Sequence, residues 1–102
     1  MAFENFIPFG AENAISRSGL MAVTGESDRQ NREKIEAARR AGAIIINEQN
    51  GNGYYRVDPE NMSERDIAAV SRQYHQNQHR ALSILSQQKH LRKALKKYGK
   101  EI

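Results

Sequence analysis

An α+β fold ending in a long basic helix is predicted by three features of this 102-residue sequence. Two short segments carry helix-capping residues in front and glycine behind. A β-branched run and a tyrosine-rich run flank a pair of Asn-Gly dipeptides. From Ile67 to Tyr98, apolar or small residues then recur at spacings of three, four and seven that approximate a heptad.

The first dozen residues form an aromatic arm through Phe3, Phe6, Ile7, Pro8 and Phe9, and Pro8 and Gly10 exclude a continuous helix there. Such an arm is expected to pack across a core or onto a partner subunit. A first helix starts after Ser16, whose hydroxyl can cap the free N–H groups of the next residues. Leu20 and Val23 lie three apart and share one face, and Gly25 ends the helix because glycine enters the left-handed conformation cheaply. The second helix is the better marked. Ser27 and Gln30 form a capping box, Asp28 suits the positive end of the dipole, and Arg39, Arg40 and Gly42 mark the end. At 100° per residue, Asn31, Ile35, Ala38 and Gly42 line one face. Arg29, Gln30, Glu33, Glu36, Ala37 and Arg40 line the other.

Residues 43–48 read as a strand, and Tyr54-Tyr55-Arg56-Val57 as its return. The intervening Asn50-Gly51-Asn52-Gly53 is a hairpin signal, since Asn-Gly accommodates positive φ. Ser63, with Asp66 three residues on, caps the final helix. Its seam of Ile67, Val70, Tyr74, Ala81, Ile84, Leu91, Leu95 and Tyr98 approximates a heptad, with Asn77 and Gln88 on the same line. A domain this small cannot cover so long a seam alone. The helix is therefore expected either to break near residues 73–80 or to pack on a second subunit.

Composition excludes several classes. The absence of cysteine removes disulfides, thiol catalysis and Cys-containing zinc sites. No apolar run approaches the ~20 residues of a membrane span, and the start lacks the pattern of a secretory signal, so a cytoplasmic protein is expected. His75 and His79 are four apart, but no Glu follows His75 and no carboxylate is near. Gly51-x-Gly53 is too short for a nucleotide loop. Glu33 and Glu36 sit beside arginines, as ion pairs rather than acid/base partners. No catalytic residue, metal or cofactor is expected. Charge is uneven: residues 1–66 carry 8 Lys/Arg against 11 Asp/Glu, net −3, and residues 67–102 carry 8 against 1, net +7. The basic end would attract a polyanion.

Short helix, tight turn, capped helix and hairpin are the order of a winged helix-turn-helix. Residues 1–62 are expected to form that domain, with a two-stranded wing, and 63–102 a helical extension for packing or dimerisation. The partner expected is double-stranded DNA. Arg29, Gln30 and Glu33 are placed to read base edges, Arg17, Arg32 and Arg40 to contact phosphates, and Asn50, Asn52 and Arg56 to act from the wing. Asn13-Ala14-Ile15-Ser16-Arg17, Thr24-Gly25-Glu26-Ser27-Asp28-Arg29 and Gly51-Asn52-Gly53-Tyr54-Tyr55 resemble small winged-helix proteins of bacteriophages and prophages of Gram-positive bacteria. The resemblance covers about residues 6–57, with an echo at Arg80-Ala81-Leu82-Ser83-Ile84. It implies DNA binding in phage transcription or replication, and a homodimer would match a two-fold operator. Three features depart from that pattern. Gly19 lies within the first helix, Asn31 lies on a buried stripe, and the helix that usually precedes the motif is missing. The rival is an adaptor built on the same fold that docks on a phage or host protein, a role better suited to the net −3 of residues 1–66.

Overall fold

The computed structural model describes residues 2–47 and 53–100. They form an α+β chain of three α-helices, α1 (Arg17–Thr24), α2 (Asp28–Arg40) and α3 (Glu64–Lys97), with two strands, β1 (Ile45–Asn47) and β2 (Tyr54–Arg56). Short 3-10 turns at Phe3–Phe6 and Ala11–Asn13 precede α1. The chain divides between Val70 and Ser71 into two compact units, so the first turns of α3 belong with the residues before them.

In the first unit the helix boundaries follow from capping chemistry. The Ser16 hydroxyl accepts from the Gly19 N–H, and α1 stops at Gly25, which is left-handed at φ 72°. Ser27 and Gln30 form the reciprocal capping box at the start of α2. Gly19 has a packing reason to lack a side chain: a Cβ there would stand 3.0 Å from Ser16 Oγ and 3.2 Å from Ile15 Cγ1.

β1 and β2 pair antiparallel, with Ile45 opposite Arg56, Ile46 opposite Tyr55 and Asn47 opposite Tyr54. The other edge of β2 is paired too. Arg56 N–H donates to the Pro8 carbonyl at 2.7 Å, and Gly10 N–H donates to the Arg56 carbonyl at 3.1 Å. Ile15 and Tyr54 exchange both backbone bonds, at 2.9 and 2.8 Å. The aromatic arm therefore packs across its own core. Ile7 is fully buried with Leu20, Ile35, Ile45 and Tyr54, and Phe3 and Phe6 lie against this cluster.

Because strand side chains alternate, β1 and β2 serve two clusters. Ile45 and Tyr54 enter the first, with α1 and α2. Ile46, Tyr55 and Val57 enter the second, where Ala11 and Ala69 are buried and Met62 and Val70 pack against them. Those first turns of α3 cover this second cluster. A second capping box, in which Ser63 N–H donates to Asp66 Oδ2 and Asp66 N–H to Ser63 Oγ, both at 3.1 Å, fixes where α3 begins.

Val23 is 53% exposed and does not share the burial of Leu20. Thr24, four residues after Leu20, takes the inward position instead, with its hydroxyl 2.9 Å from the Leu20 carbonyl and 3.0 Å from Asn31 Oδ1. Of the two alternatives left open for the final helix, the break near residues 73–80 is absent, since α3 is one helix from Glu64 to Lys97. In the second unit its residues beyond Gln73 are exposed, including Tyr74, Ile84, Leu85, Leu91 and Leu95. Among the described residues, no helix is long and apolar enough to cross a membrane.

Candidate nucleic-acid interface

Six of the nine side chains expected to meet DNA belong to α1 and α2. Asn31, Ile35 and Ala38 are buried as the periodicity requires, which leaves Arg29, Gln30, Arg32, Glu33 and Arg40 exposed. A shallow groove is lined by Arg29, Arg32, Glu33, Glu36 and Arg40. Arg17 reaches this face from the first turn of α1.

Their charges are largely paired. The Arg17 guanidinium donates through Nε and Nη2 to the two Asp28 oxygens, at 3.1 and 2.9 Å. Arg32 Nε lies 3.2 Å from the same carboxylate. Arg29 pairs with Glu33 at 3.4 Å and Arg40 with Glu36 at 3.7 Å, each one helical turn apart. Asp28, by hydrogen bond and charge, pushes the pKa of Arg17 above its already high ordinary value. Four cations thus face three carboxylates, and Arg29, with 85% of its side chain exposed, is the most exposed of the four.

Gln30 is partly committed: its side-chain oxygen accepts from the Ser27 N–H at 3.0 Å. Its amide NH2 remains as the donor it could offer to a base. Arg56 is diverted further. Its Nε donates to the Ile7 carbonyl at 2.6 Å, and its guanidinium carbon lies 4.0 Å from the centre of the Phe9 ring. Its charge holds the N-terminal arm against β2. Asn50 and Asn52 lie outside the described residues.

Two residues of this face were not singled out from sequence as site residues: Asp28, which joins Arg17 to Arg32, and Glu36 in the groove. The i,i+4 spacing of Asp28/Arg32 and Glu36/Arg40 was a legible signal. The Arg17–Asp28 pair spans two helices and carries no periodic signature. Comparison of the chain with protein-family models, with curated proteins and with solved structures finds no match. Among the described residues, no group of three or more His, Asp or Glu could hold a metal ion. His75 and His79 are exposed on α3, and the His75 ring meets Tyr74 edge-on at 5.3 Å.

Proposed function

We propose that this chain is a non-catalytic double-stranded DNA-binding protein of winged-helix type, acting as a homodimer in phage or prophage transcription or replication. Its recognition helix is α2, and the hairpin of β1 and β2 is its wing. One observation carries the reading. A short helix, a glycine turn and a capped helix lead into an antiparallel hairpin whose second strand also pairs with Ile15, just before the N-cap of α1. That topology leaves the outer side of α2 clear, with its arginines exposed, as entry into a major groove requires.

The ion pairs on that side do not oppose binding. Exposed pairs of this kind are worth about 0–1 kcal/mol each, so a phosphate can replace a carboxylate at Arg17, Arg32 or Arg40 at little cost. Arg29 is the residue for base edges. The net +7 of residues 67–102 adds attraction without sequence preference.

A second reading is favoured by the same near-balance of charge. Four arginines matched by three carboxylates suit a protein surface, and the rival function is an adaptor docking on a phage or host protein. Mobility shifts against phage DNA fragments over a salt series discriminate the two. DNA binding through α2 gives discrete complexes whose affinity falls steeply with salt and is lost with Arg29→Ala/Arg32→Ala/Arg40→Ala. No retardation at low salt, or retardation unaffected by those substitutions, favours the adaptor.

A further inference from the structure

We propose that the second unit's helix lies on the surface of an anionic phospholipid bilayer, apolar side down, with its lysines among the headgroups. The inference does not rest on DNA binding by α2.

Residues 84–97 of α3 have two sides of different chemistry. At 100° per residue, Ile84, Leu91 and Leu95 fall within about 40° of one another. Tyr98 follows in the turn just beyond, and these four residues are between 45% and 84% exposed. Lys89, Lys93, Lys96 and Lys97 occupy about 100° on the opposite side, and Arg92 stands at the boundary. Leu82 and Leu85 fall on the cationic side, ahead of its first lysine. The apolar stretch from Ile84 to Leu95 is about 17 Å long at 1.5 Å per residue, little more than half of a ~30 Å hydrocarbon core. Such a segment lies in the plane of a membrane rather than across it.

Charge selects an anionic cover for this helix. Residues 71–100 hold eight Lys/Arg and no Asp or Glu, so a second copy of the same helix is repelled. A nucleic acid would meet the lysines but leave Ile84, Leu91 and Leu95 in water. A protein groove accepts an apolar side, yet protein interfaces are rich in aromatic residues, Met and Arg and poor in Lys. Residues 84–100 carry five Lys to one Arg, with no Phe, Trp or Met. A bilayer holding anionic lipid meets both sides at once. Its headgroup boundary takes up an apolar side to a depth of about 5–10 Å. The far side of a helix about 10–12 Å across then stands near the phosphates, and the long lysine stems reach back to them. Lysines held there attract anionic lipid within the screening length of about 8 Å at physiological salt.

Flotation of the full chain with vesicles tests the proposal. Vesicles of phosphatidylcholine with a quarter of phosphatidylglycerol should carry the protein, and phosphatidylcholine alone should not. Failure to bind the anionic vesicles at low salt would overturn the bilayer and leave an acidic protein groove as the cover. Lys93→Gln/Lys96→Gln/Lys97→Gln should lower vesicle affinity about a hundredfold, roughly fivefold for each lysine. Leu91→Gln/Leu95→Gln keeps every charge and introduces good helix formers, and it should also release the protein. Circular dichroism checks that both variants keep the helix. Undiminished vesicle binding by the leucine variant would reduce the attraction to charge alone, such as any polyanion exerts, and overturn the apolar contact. The chain lacks cysteine, so Leu91→Cys and Ser86→Cys each accept one polarity-sensitive fluorophore. On anionic vesicles the emission at Leu91 should shift to the blue, while that at Ser86, on the cationic side, stays close to its value in water. Equal emission at the two sites would overturn the orientation.

Discussion

Arg17 clasps Asp28 through two bonds of 3.1 and 2.9 Å, one to each carboxylate oxygen, so the first turn of α1 is tied to the first turn of α2. The carboxylate also holds Arg32 at 3.2 Å and stands at the positive end of α2. Asp28 therefore stabilises the helix pair while neutralising cations on the proposed DNA face. The two roles separate on substitution. Asp28→Ala should cost stability by roughly 1 kcal/mol, the scale of an exposed pair plus a favourable dipole contact. It should also raise nonspecific DNA affinity and steepen its salt dependence, because Arg17 and Arg32 are released to phosphate. Thermal melts and a salt series of mobility shifts check the two arms. Weaker binding by a fully folded Asp28→Ala protein would place these arginines away from DNA.

Arg29 and Arg40 occupy the same side of α2 at opposite ends, and their expected losses differ in kind. Arg29 is near the N-terminus, from which recognition helices read bases. Arg29→Ala should cost ~1–3 kcal/mol on the preferred site and flatten preference among sites. Arg40→Ala should weaken all sequences about equally and lower the salt slope by roughly one. Competition binding across a randomised DNA library separates them. Equal loss on every sequence for Arg29→Ala would remove it from base reading.

Gly53 is a close-approach site as well as a turn residue. A Cβ there would lie 2.0 Å from the Ile15 carbonyl oxygen, at a backbone φ of +122°. Gly25 has φ +72° and nothing within 4 Å of such a Cβ. Gly25→Ala therefore carries only the left-handed backbone penalty of ~1–2 kcal/mol. Gly53→Ala should cost clearly more, because the backbone pairing of Ile15 with Tyr54 must open to admit the methyl group. Denaturant melts of both variants test the order. Equal losses would mean that the Ile15 segment yields easily.

What could be read from sequence was local chemistry. Ser16, the Ser27/Gln30 pair and the Ser63/Asp66 pair mark helix starts because a cap bonds within three residues of itself. Asn31, Ile35 and Ala38 are buried where the helical period puts them. What escaped was set by contacts remote in sequence. Arg56 looks like a free wing cation until Ile7 and Phe9, nearly fifty residues earlier, are seen to hold it. Val23 shares a face with Leu20 on spacing alone, yet Val23 is exposed, and Thr24 turns inward with its hydroxyl on the Leu20 carbonyl. The groove on α2 was legible as a set of outward residues. The bridging position of Asp28 between two helices was not.

Thr24 and Asn31 form a partly buried polar contact between α1 and α2, and their energetics are testable by paired replacement. Asn31 is 1% exposed, and its Nδ2 has no partner among the described residues. The Thr24 hydroxyl has a single proton but two neighbouring acceptors, the Leu20 carbonyl at 2.9 Å and Asn31 Oδ1 at 3.0 Å. If the proton goes to Leu20, the Asn31 amide must turn its NH2 towards Thr24 Oγ1, since an oxygen there would face another oxygen. Either way one polar end of Asn31 lacks a full complement. Thr24→Val removes the hydroxyl altogether and leaves a buried amide with no side-chain partner, a loss of about 1–3 kcal/mol. Asn31→Leu removes the unsatisfied group and keeps a similar volume, so it should be neutral or stabilising. Thr24→Val/Asn31→Leu should then recover most of what Thr24→Val loses, since replacing both polar partners leaves nothing unpaired. Urea melts of the four proteins give the cycle directly. Additive losses would show that Asn31 bonds elsewhere, for instance through a buried water. Recovery in the double variant would instead identify the two as direct partners between the helices.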